Sequence, residues 1–96
     1  MVAETILKQL GGQLFIVMTG TKNFIKIGDN GIGMQLRRNK SKASHLRITL
    51  TPNDTYLMEF IKCTSKDLKT LERYEDVYNT ELRGIFESAT GMFTKI

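Results

Sequence analysis

The sequence is poor in the residues that build disulfides, metal sites and catalytic centres, with one cysteine, one histidine, one proline and no tryptophan. Cys63 alone cannot form an internal disulfide, which excludes the disulfide-stabilised class of small secreted domains. No apolar run approaches the roughly 20 residues that a membrane-spanning helix requires, and the first residues lack the pattern of a signal peptide. The sequence therefore predicts a cytoplasmic protein without a membrane contact.

The scarcity of histidine and cysteine also argues against catalysis. A serine or cysteine nucleophile needs a base, and His45 is the only histidine. Its alternation with apolar neighbours places it on the outer face of a predicted strand, where an exposed imidazole is ordinary. His45 and Cys63 match no zinc spacing, and the acids within residues 72–76 lack the alternating ligands of a calcium loop. We therefore expect no enzyme, no metal site and no cofactor.

Apolar and aromatic residues are nevertheless sufficient for a folded core. Apolar residues make up 41% of the chain, and three tyrosines and five phenylalanines are among them. This composition is not that of a disordered segment. A chain of 96 residues can hold one core and is too short for two. We therefore expect a single domain over residues 1–96.

The net charge of +4 is unevenly distributed. Residues 1–53 hold eight basic residues against two acids, whereas residues 54–96 hold six against eight. Such asymmetry can steer an anionic partner, either nucleic acid or an acidic protein, towards the first half of the chain. The alternative is an excess of lysine that serves solubility alone.

Three segments have helical patterns of different strength. Residues 3–10 predict a short amphipathic helix that stops at two glycines, and residues 79–89 have an Asn N-cap, a helical apolar stripe and a following glycine. Residues 13–20 are an apolar run between glycines that fits either a buried strand or a short helix. The spacing of Phe15 and Met18 leans towards the helix.

The remaining segments alternate in polarity, as strands do. Residues 23–27 and 32–37 flank a turn of Asp, Asn and Gly and predict a β-hairpin. Residues 45–50 show the cleanest alternation, and residues 55–62 return as a further strand after a Pro-containing turn. Residues 67–74 fit either a capped helix, which propensity favours, or another strand.

Together these segments predict an α+β fold. It consists of an antiparallel meander of four to five strands, one or two short N-terminal helices, and a C-terminal helix packed on one face of the sheet. The connections are short apart from the one that follows the first hairpin, so the topology should be mostly local.

That longer connection gives the sharpest functional signal. Residues 34–50 contain no acid and hold five of the fourteen basic residues, namely Arg37, Arg38, Lys40, Lys42 and Arg47. Arg37 and Arg47 are predicted on the outer face of neighbouring strands, with the others in the loop between them. Such a basic hairpin can contact several phosphates of nucleic acid, and Lys22, Asn23 and Lys26 can extend it.

The lack of neighbouring aromatic residues limits this hypothesis. No aromatic residue alternates with Arg37 or Arg47, so base stacking and sequence-specific recognition are not indicated. A flexible basic loop without a ligand is the alternative interpretation.

The chain resembles a family of short uncharacterised proteins from phages, prophages and other mobile elements of gut and environmental bacteria. The matching residues span most of the sequence and include a Leu-Gly-Gly-x-x-Phe-x-x-Met-Thr-Gly-x-Lys-Asn-Phe block. They are Gln9 to Gly12, Phe15, Met18 to Phe24, Arg47 to Leu50, Val77 and Tyr78, and Ala89 to Gly91. The resemblance implies a bacterial host cytoplasm, favours a strand at residues 67–74, and carries no site residues.

A second function follows from that context. Phage genes of this size often encode adaptors or inhibitors that bind a host enzyme or a defence complex, and a basic loop could occupy an acidic surface on such a target. The mixed face of Leu57, Glu59 and Ile61 could equally form a homodimer seam, including one made by strand pairing at a sheet edge. The sequence thus predicts non-catalytic binding, to nucleic acid first and to a host protein second.

Overall fold

Five β-strands form one antiparallel sheet in which each strand pairs with its neighbour in the sequence. This computed structural model describes residues 2–92. Its elements are, in chain order, α1 Val2–Leu10, α2 Gly12–Thr19, β1 Lys22–Ile27, β2 Gly31–Gln35, β3 His45–Leu50, β4 Tyr56–Cys63, β5 Leu68–Val77, a 3-10 turn Asn79–Glu81 and α3 Leu82–Thr90. The predicted α+β meander, with two N-terminal helices and one C-terminal helix, is confirmed.

Alternation along the strands gives the sheet one covered face and one open face. Leu46 on β3 pairs with Phe60 on β4, and both side chains are fully buried. The next pair, Arg47 with Glu59, points to the opposite side. All three helices of residues 2–92 pack on the covered face, where their buried apolar side chains join those of the sheet in one cluster. The helical members are Ile6, Leu10, Phe15, Leu82, Phe86 and Ala89.

Helices α2 and α3 end alike because both carry the pattern Phe, three residues, Thr, Gly. Thr19 Oγ1 donates a hydrogen bond to the carbonyl oxygen of Phe15 at 2.7 Å, and Thr90 Oγ1 donates to that of Phe86 at the same distance. The two phenylalanine rings meet edge to face, with centroids 4.9 Å apart. The two helices therefore contact each other through these rings.

Each of these helices stops at a glycine in the left-handed region. Gly20 has a φ of 68° and donates its N–H to Ile16, while Gly91 has a φ of 73° and donates to Glu87, both at 2.9 Å. Glycine adopts this conformation without the clash that a Cβ would cause. The last carbonyls of both helices, which carry the negative end of the helix dipole, thus face one end of the sheet.

The two segments that the sequence left open adopt one structure each. Residues 13–20 form most of α2, as the spacing of Phe15 and Met18 suggested. Residues 67–74 form most of β5, whose partner along its length is β4. Helix propensity was overridden there because the backbone groups of β4 find their second hydrogen-bonding partner in this segment.

Two sequence boundaries were wrong. Strand β2 ends at Gln35 and does not continue to Arg37, so Arg37 does not share an outer face with Arg47. The C-terminal helix was expected to start from an N-cap at Asn79, but Asn79 opens a 3-10 turn and α3 begins at Leu82. The Glu81 carboxylate accepts a hydrogen bond from the backbone N–H of Tyr78 at 2.9 Å, which fixes the turn before the helix.

Candidate functional site

One end of the sheet collects positive charge from three separate parts of the chain. Because antiparallel strands alternate in direction, the start of β1, the β2–β3 loop and the β4–β5 turn all lie at this end. Residues 20–22, 36–44 and 62–69 carry one acid, Asp67. We call these segments the basic end, and their eight basic residues are Lys22, Arg37, Arg38, Lys40, Lys42, Lys62, Lys66 and Lys69.

The opposite end of the sheet has the opposite charge. The β1–β2 turn, the β3–β4 turn and the last residues of β5 meet there, and they carry no basic residue. Their acids are Asp29, Asp54, Glu75 and Asp76. The sheet is therefore electrically polar along its strands, which orients the molecule in the field of an anionic partner.

The β2–β3 loop is held in one conformation by hydrogen bonds from Asn39. The Asn39 amide donates to the carbonyl oxygens of Arg37 at 2.8 Å and Ala43 at 2.9 Å. Its oxygen accepts hydrogen bonds from both the backbone N–H and the hydroxyl of Ser41. Ser41 Oγ in turn accepts the N–H of Ala43 at 3.1 Å. The loop is thus an ordered platform for its basic side chains, unlike the flexible loop of the alternative interpretation.

Further hydrogen bonds fix this platform to the rest of the fold. The N–H of Lys40 donates to the carbonyl oxygen of Thr90, at the end of α3, at 3.0 Å. At the other end of the loop, Ser44 donates its N–H to Ile61 of β4 at 2.9 Å, and its carbonyl accepts the N–H of Leu36 at 2.7 Å. Movement of the loop would therefore break contacts with both α3 and β4.

Arg37 has a structural partner that the sequence did not reveal. Its Nε donates to Met92 Sδ at 3.3 Å. A Cβ placed on Gly20 would lie 3.1 Å from Arg37 Cδ, so the side chain runs across the end of α2. Arg37 and Lys40 both lie next to helix C-termini, where a positive charge is favourable without any ligand. These two predicted site residues consequently have a role in the fold.

Arg38 and Lys42 have no such structural partner in the hydrogen bonds described, and they line an open cavity of about 460 Å³ together with Lys62. Asn39 and Ser44 contribute polar atoms to its wall. Lys42 occupies the left-handed region at φ 67°, a conformation imposed by the loop and uncommon for a lysine. Arg37 also lines this cavity, so three basic residues of the β2–β3 loop and one from the end of β4 surround one concave surface.

Arg47 lies elsewhere. It projects from the middle of the open face, where its Nε donates to Glu59 Oε1 at 3.1 Å. The carboxylate neutralises much of its charge, so Arg47 belongs to the basic end less than the sequence indicated. Lys22 and Asn23 do lie at that end, and the Asn23 amide donates to the side-chain oxygen of Gln35. The expectation that Lys26 extends the patch is wrong, because Lys26 lines a depression between α1 and β1.

Sequence reasoning missed Lys62, Lys66 and Lys69. They belong to the acidic half of the chain, and only strand pairing brings them beside the β2–β3 loop. Lys62 and Lys69 are direct cross-strand partners with like charges, an arrangement that disfavours folding and favours an anionic partner. The predicted strand order could have indicated these lysines, because every second connection of a meander lies at the same end of the sheet.

The remaining reactive residues form no constellation. The Nδ1 of His45 lies 2.8 Å from Oγ of its chain neighbour Ser44, and Cys63 is exposed with its N–H bonded to that same hydroxyl. Within residues 2–92, no group of three or more His, Cys, Asp or Glu residues is placed to hold a metal ion. In the same range, no helix has the length and apolar character that crossing a membrane requires.

Comparison with known proteins gives no relative from which a site could be transferred. No protein-family model matches the chain, and neither a curated protein nor a solved structure matches it. The resemblance to proteins of phages and mobile elements therefore stays a prediction from the sequence.

Proposed function

We propose that this chain is a non-catalytic binding protein of a phage or mobile element, and that its basic end binds the phosphate backbone of nucleic acid. The observation that carries the proposal is the convergence of eight basic residues and a single acid on one end of the sheet. Cations gathered from separate segments on one surface are what a polyanion contacts most strongly.

The order of the β2–β3 loop supports the same conclusion. A loop that is already held by Asn39, α3 and β4 loses little conformational freedom when a ligand binds. Of the predicted residues, Arg38 and Lys42 are the ones that we assign to direct phosphate contact, and Lys62 joins them from β4. Lys22, Lys66 and Lys69 supply longer-range attraction. Lys40 and Arg37 hold the platform.

The test is binding of labelled DNA and RNA, measured by fluorescence anisotropy from low to physiological salt. The variant combines Arg38→Ser, Lys42→Asn and Lys62→Ser, with asparagine at 42 because it tolerates a positive φ. Each lost phosphate contact should lower the slope of log affinity against log salt by about 0.9 on duplex DNA, so we expect a decrease of about 2 to 3.

A matched control removes three positive charges elsewhere, through Lys8→Ser, Lys26→Ser and Arg73→Ser. It has the same net charge as the basic-end variant but leaves the basic end intact. We expect its salt dependence to stay close to that of the unaltered protein. Equal loss in the two variants would show that only net charge matters and would contradict a site at the basic end.

The second candidate is an adaptor or inhibitor that binds an acidic surface of a host or defence protein. It is supported by the same concentration of charge, since an acidic protein surface would complement it. No binding to DNA or RNA, combined with capture of a host protein that the basic-end variant fails to capture, would favour this candidate.

Homodimerisation stays a prediction, and the two edge strands of the sheet are poorly suited to pair with a second copy. Strand β1 has an irregular register beside Asn23, at φ 54°, and β5 has one near Asp76, also at φ 54°. Bulges and charged residues on edge strands oppose pairing with another chain. A dimer would therefore use the open face, and sedimentation at increasing protein concentration tests for it.

A further inference from the structure

The open face of the sheet carries a groove. The groove has a volume of about 390 Å³ and is lined by residues from all five strands. Its lining includes Ile25 of β1, Gln35 of β2, His45 and Arg47 of β3, Ile61 of β4 and Leu68 of β5. Irregular register in the β1–β2 and β4–β5 pairs accompanies this groove, since bulges increase the twist of a strand. The volume lies in the range of sites that hold small organic groups.

The groove is mainly apolar and carries three polar side chains between its apolar rims. Ile25 on β1 and Leu68 on β5 are both 61% exposed and stand at opposite edges. Between them the central strands present the amide of Gln35, the imidazole of His45 and the guanidinium of Arg47. Apolar walls over hydrogen-bonding groups suit a flat ring with polar edges.

The groove also continues into the basic end. Cys63 lines both this groove and the cavity that Arg37, Arg38, Lys42 and Lys62 line. A ligand in the groove would therefore find a row of cations where the groove meets the end of the sheet. Charge complementarity at that point selects an occupant that carries both flat polar rings and negative charge.

We propose that the groove holds unpaired bases of a single-stranded nucleic acid whose phosphates lie against the basic end. This inference rests on the proposed function and specifies its ligand. The faces and edges of bases are accessible in single strands and hidden in a duplex, so a duplex can contact only the basic end. The side-chain oxygen of Gln35 accepts the hydrogen bond from Asn23, and its amide N–H groups can donate to a base edge.

A second copy of this chain fits the groove less well. The core of a dimer interface is typically depleted of charge, whereas the centre of the open face holds the ion pair of Arg47 and Glu59. Among the residues that the structure describes, no Phe, Tyr or Trp lines the groove for strong stacking. The base contacts should therefore add moderate affinity to that of the phosphates.

The experiment compares a labelled single strand of about 10 nucleotides with the corresponding duplex, as DNA and as RNA, by anisotropy at fixed salt. The groove variant combines Gln35→Ala and His45→Ala. The control combines Thr49→Ala and Leu57→Ala, a cross-strand pair on the same face outside the groove. We expect the groove variant to bind the single strand about tenfold more weakly and the duplex with unchanged affinity. The control should bind both ligands with unchanged affinity.

A measurement on the unaltered protein gives a result that does not depend on whether the variants fold. Amide chemical shifts in a titration with the single strand should change at Gly33, Gln35 and His45, and the duplex should leave them unchanged. Equal single-strand and duplex affinity, with unshifted groove amides, would overturn the groove while the proposed function stands. Absence of binding to every nucleic acid would instead overturn the proposed function. A groove variant that changes the sedimentation coefficient and not the affinity would assign the groove to a second copy.

Discussion

The two faces of the sheet are made from the same strands and are filled by different chemistry. On the covered face, Leu46 and Phe60 are fully buried against the helices. The next residue along each of these two strands lies on the open face. There the side chain of Arg47 is 39% exposed and pairs with Glu59. Packing explains the apolar residues of the covered face, but it does not require an amide, an imidazole or a guanidinium on the other. The open face is therefore the one that is available for recognition.

The largest expected contrast is between Phe60→Ala and Leu57→Ala. Phe60 is fully buried and its ring lies 6.0 Å from that of Tyr74, so its loss leaves a cavity and should lower the free energy of unfolding by about 3–5 kcal/mol. Leu57 is half-buried on the open face and should cost about 1 kcal/mol. Urea unfolding with unchanged m-values measures both. Similar costs would mean that the open face is also covered in solution.

The next contrast lies within the open face, between two glycines of β2. A Cβ on Gly31 would lie 3.2 Å from the carbonyl oxygens of Ile27 and Ile48, which are backbone atoms that cannot move aside. We expect Gly31→Ala to cost about 1–3 kcal/mol. A Cβ on Gly33 would meet only side-chain carbons of Ile25 and Ile27, at 3.1 Å, and these can rotate.

Gly33→Ala should therefore be close to neutral, because the lower entropy of the unfolded chain offsets the local adjustment. The same unfolding experiment measures both alanine variants. A greater loss of unfolding free energy for Gly33→Ala than for Gly31→Ala would show that the side chains of Ile25 and Ile27 are as fixed as those packed on the covered face.

A smaller effect is expected for the ion pair on the open face. Arg47 and Glu59 are partly exposed, so solvent screens their interaction and the coupling energy should be about 0.2–1 kcal/mol. A double-mutant cycle with Arg47→Ala and Glu59→Ala isolates this term. A coupling of several kcal/mol would show that the open face excludes water, as the covered face does.

The smallest effect is expected at Tyr74, whose phenol lies beside the carboxylate of Glu72 at the margin of the covered face. The hydroxyl of Tyr74 donates to Glu72 Oε1 at 2.7 Å, and this hydrogen bond, together with partial burial and the negative charge, raises the pKa of Tyr74 above 10.0. The folded state then holds the phenol proton more tightly than the unfolded chain does. The contribution of Tyr74 to the free energy of unfolding is therefore complete below about pH 10, and it is lost as the pH rises through the raised pKa.

The measurement is urea unfolding at a series of alkaline pH values, on the unaltered protein and on Tyr74→Phe. The alkaline fall in the free energy of unfolding should be shallower in the variant by the share that Tyr74 contributes. Identical slopes would show that Glu72 does not hold the phenol in solution.

Local patterns predicted most of this fold, since the alternation at residues 45–50 and 55–62 and the stripe of α3 each follow from one element. Residues 67–74 could not be assigned from their propensity because the pairing with β4 decides them. The same limit applies to the site. Arg38 and Lys42 were predicted from a run of charge, but Lys62, Lys66 and Lys69 join them only through strand pairing. The partner of Arg37, Met92, lies far away in the sequence and left no local signal.

The chain-order pairing of the five strands has a consequence for the rate of folding. Each hairpin closes a short loop, so the sheet can assemble outward from any one of them at a modest entropic cost. The contact between Phe15 and Phe86 joins the two ends of the chain and needs most of the sheet in place first. We therefore expect Phe86→Leu to accelerate unfolding and leave the refolding rate nearly unchanged in stopped-flow experiments, which would make the docking of α3 the final step.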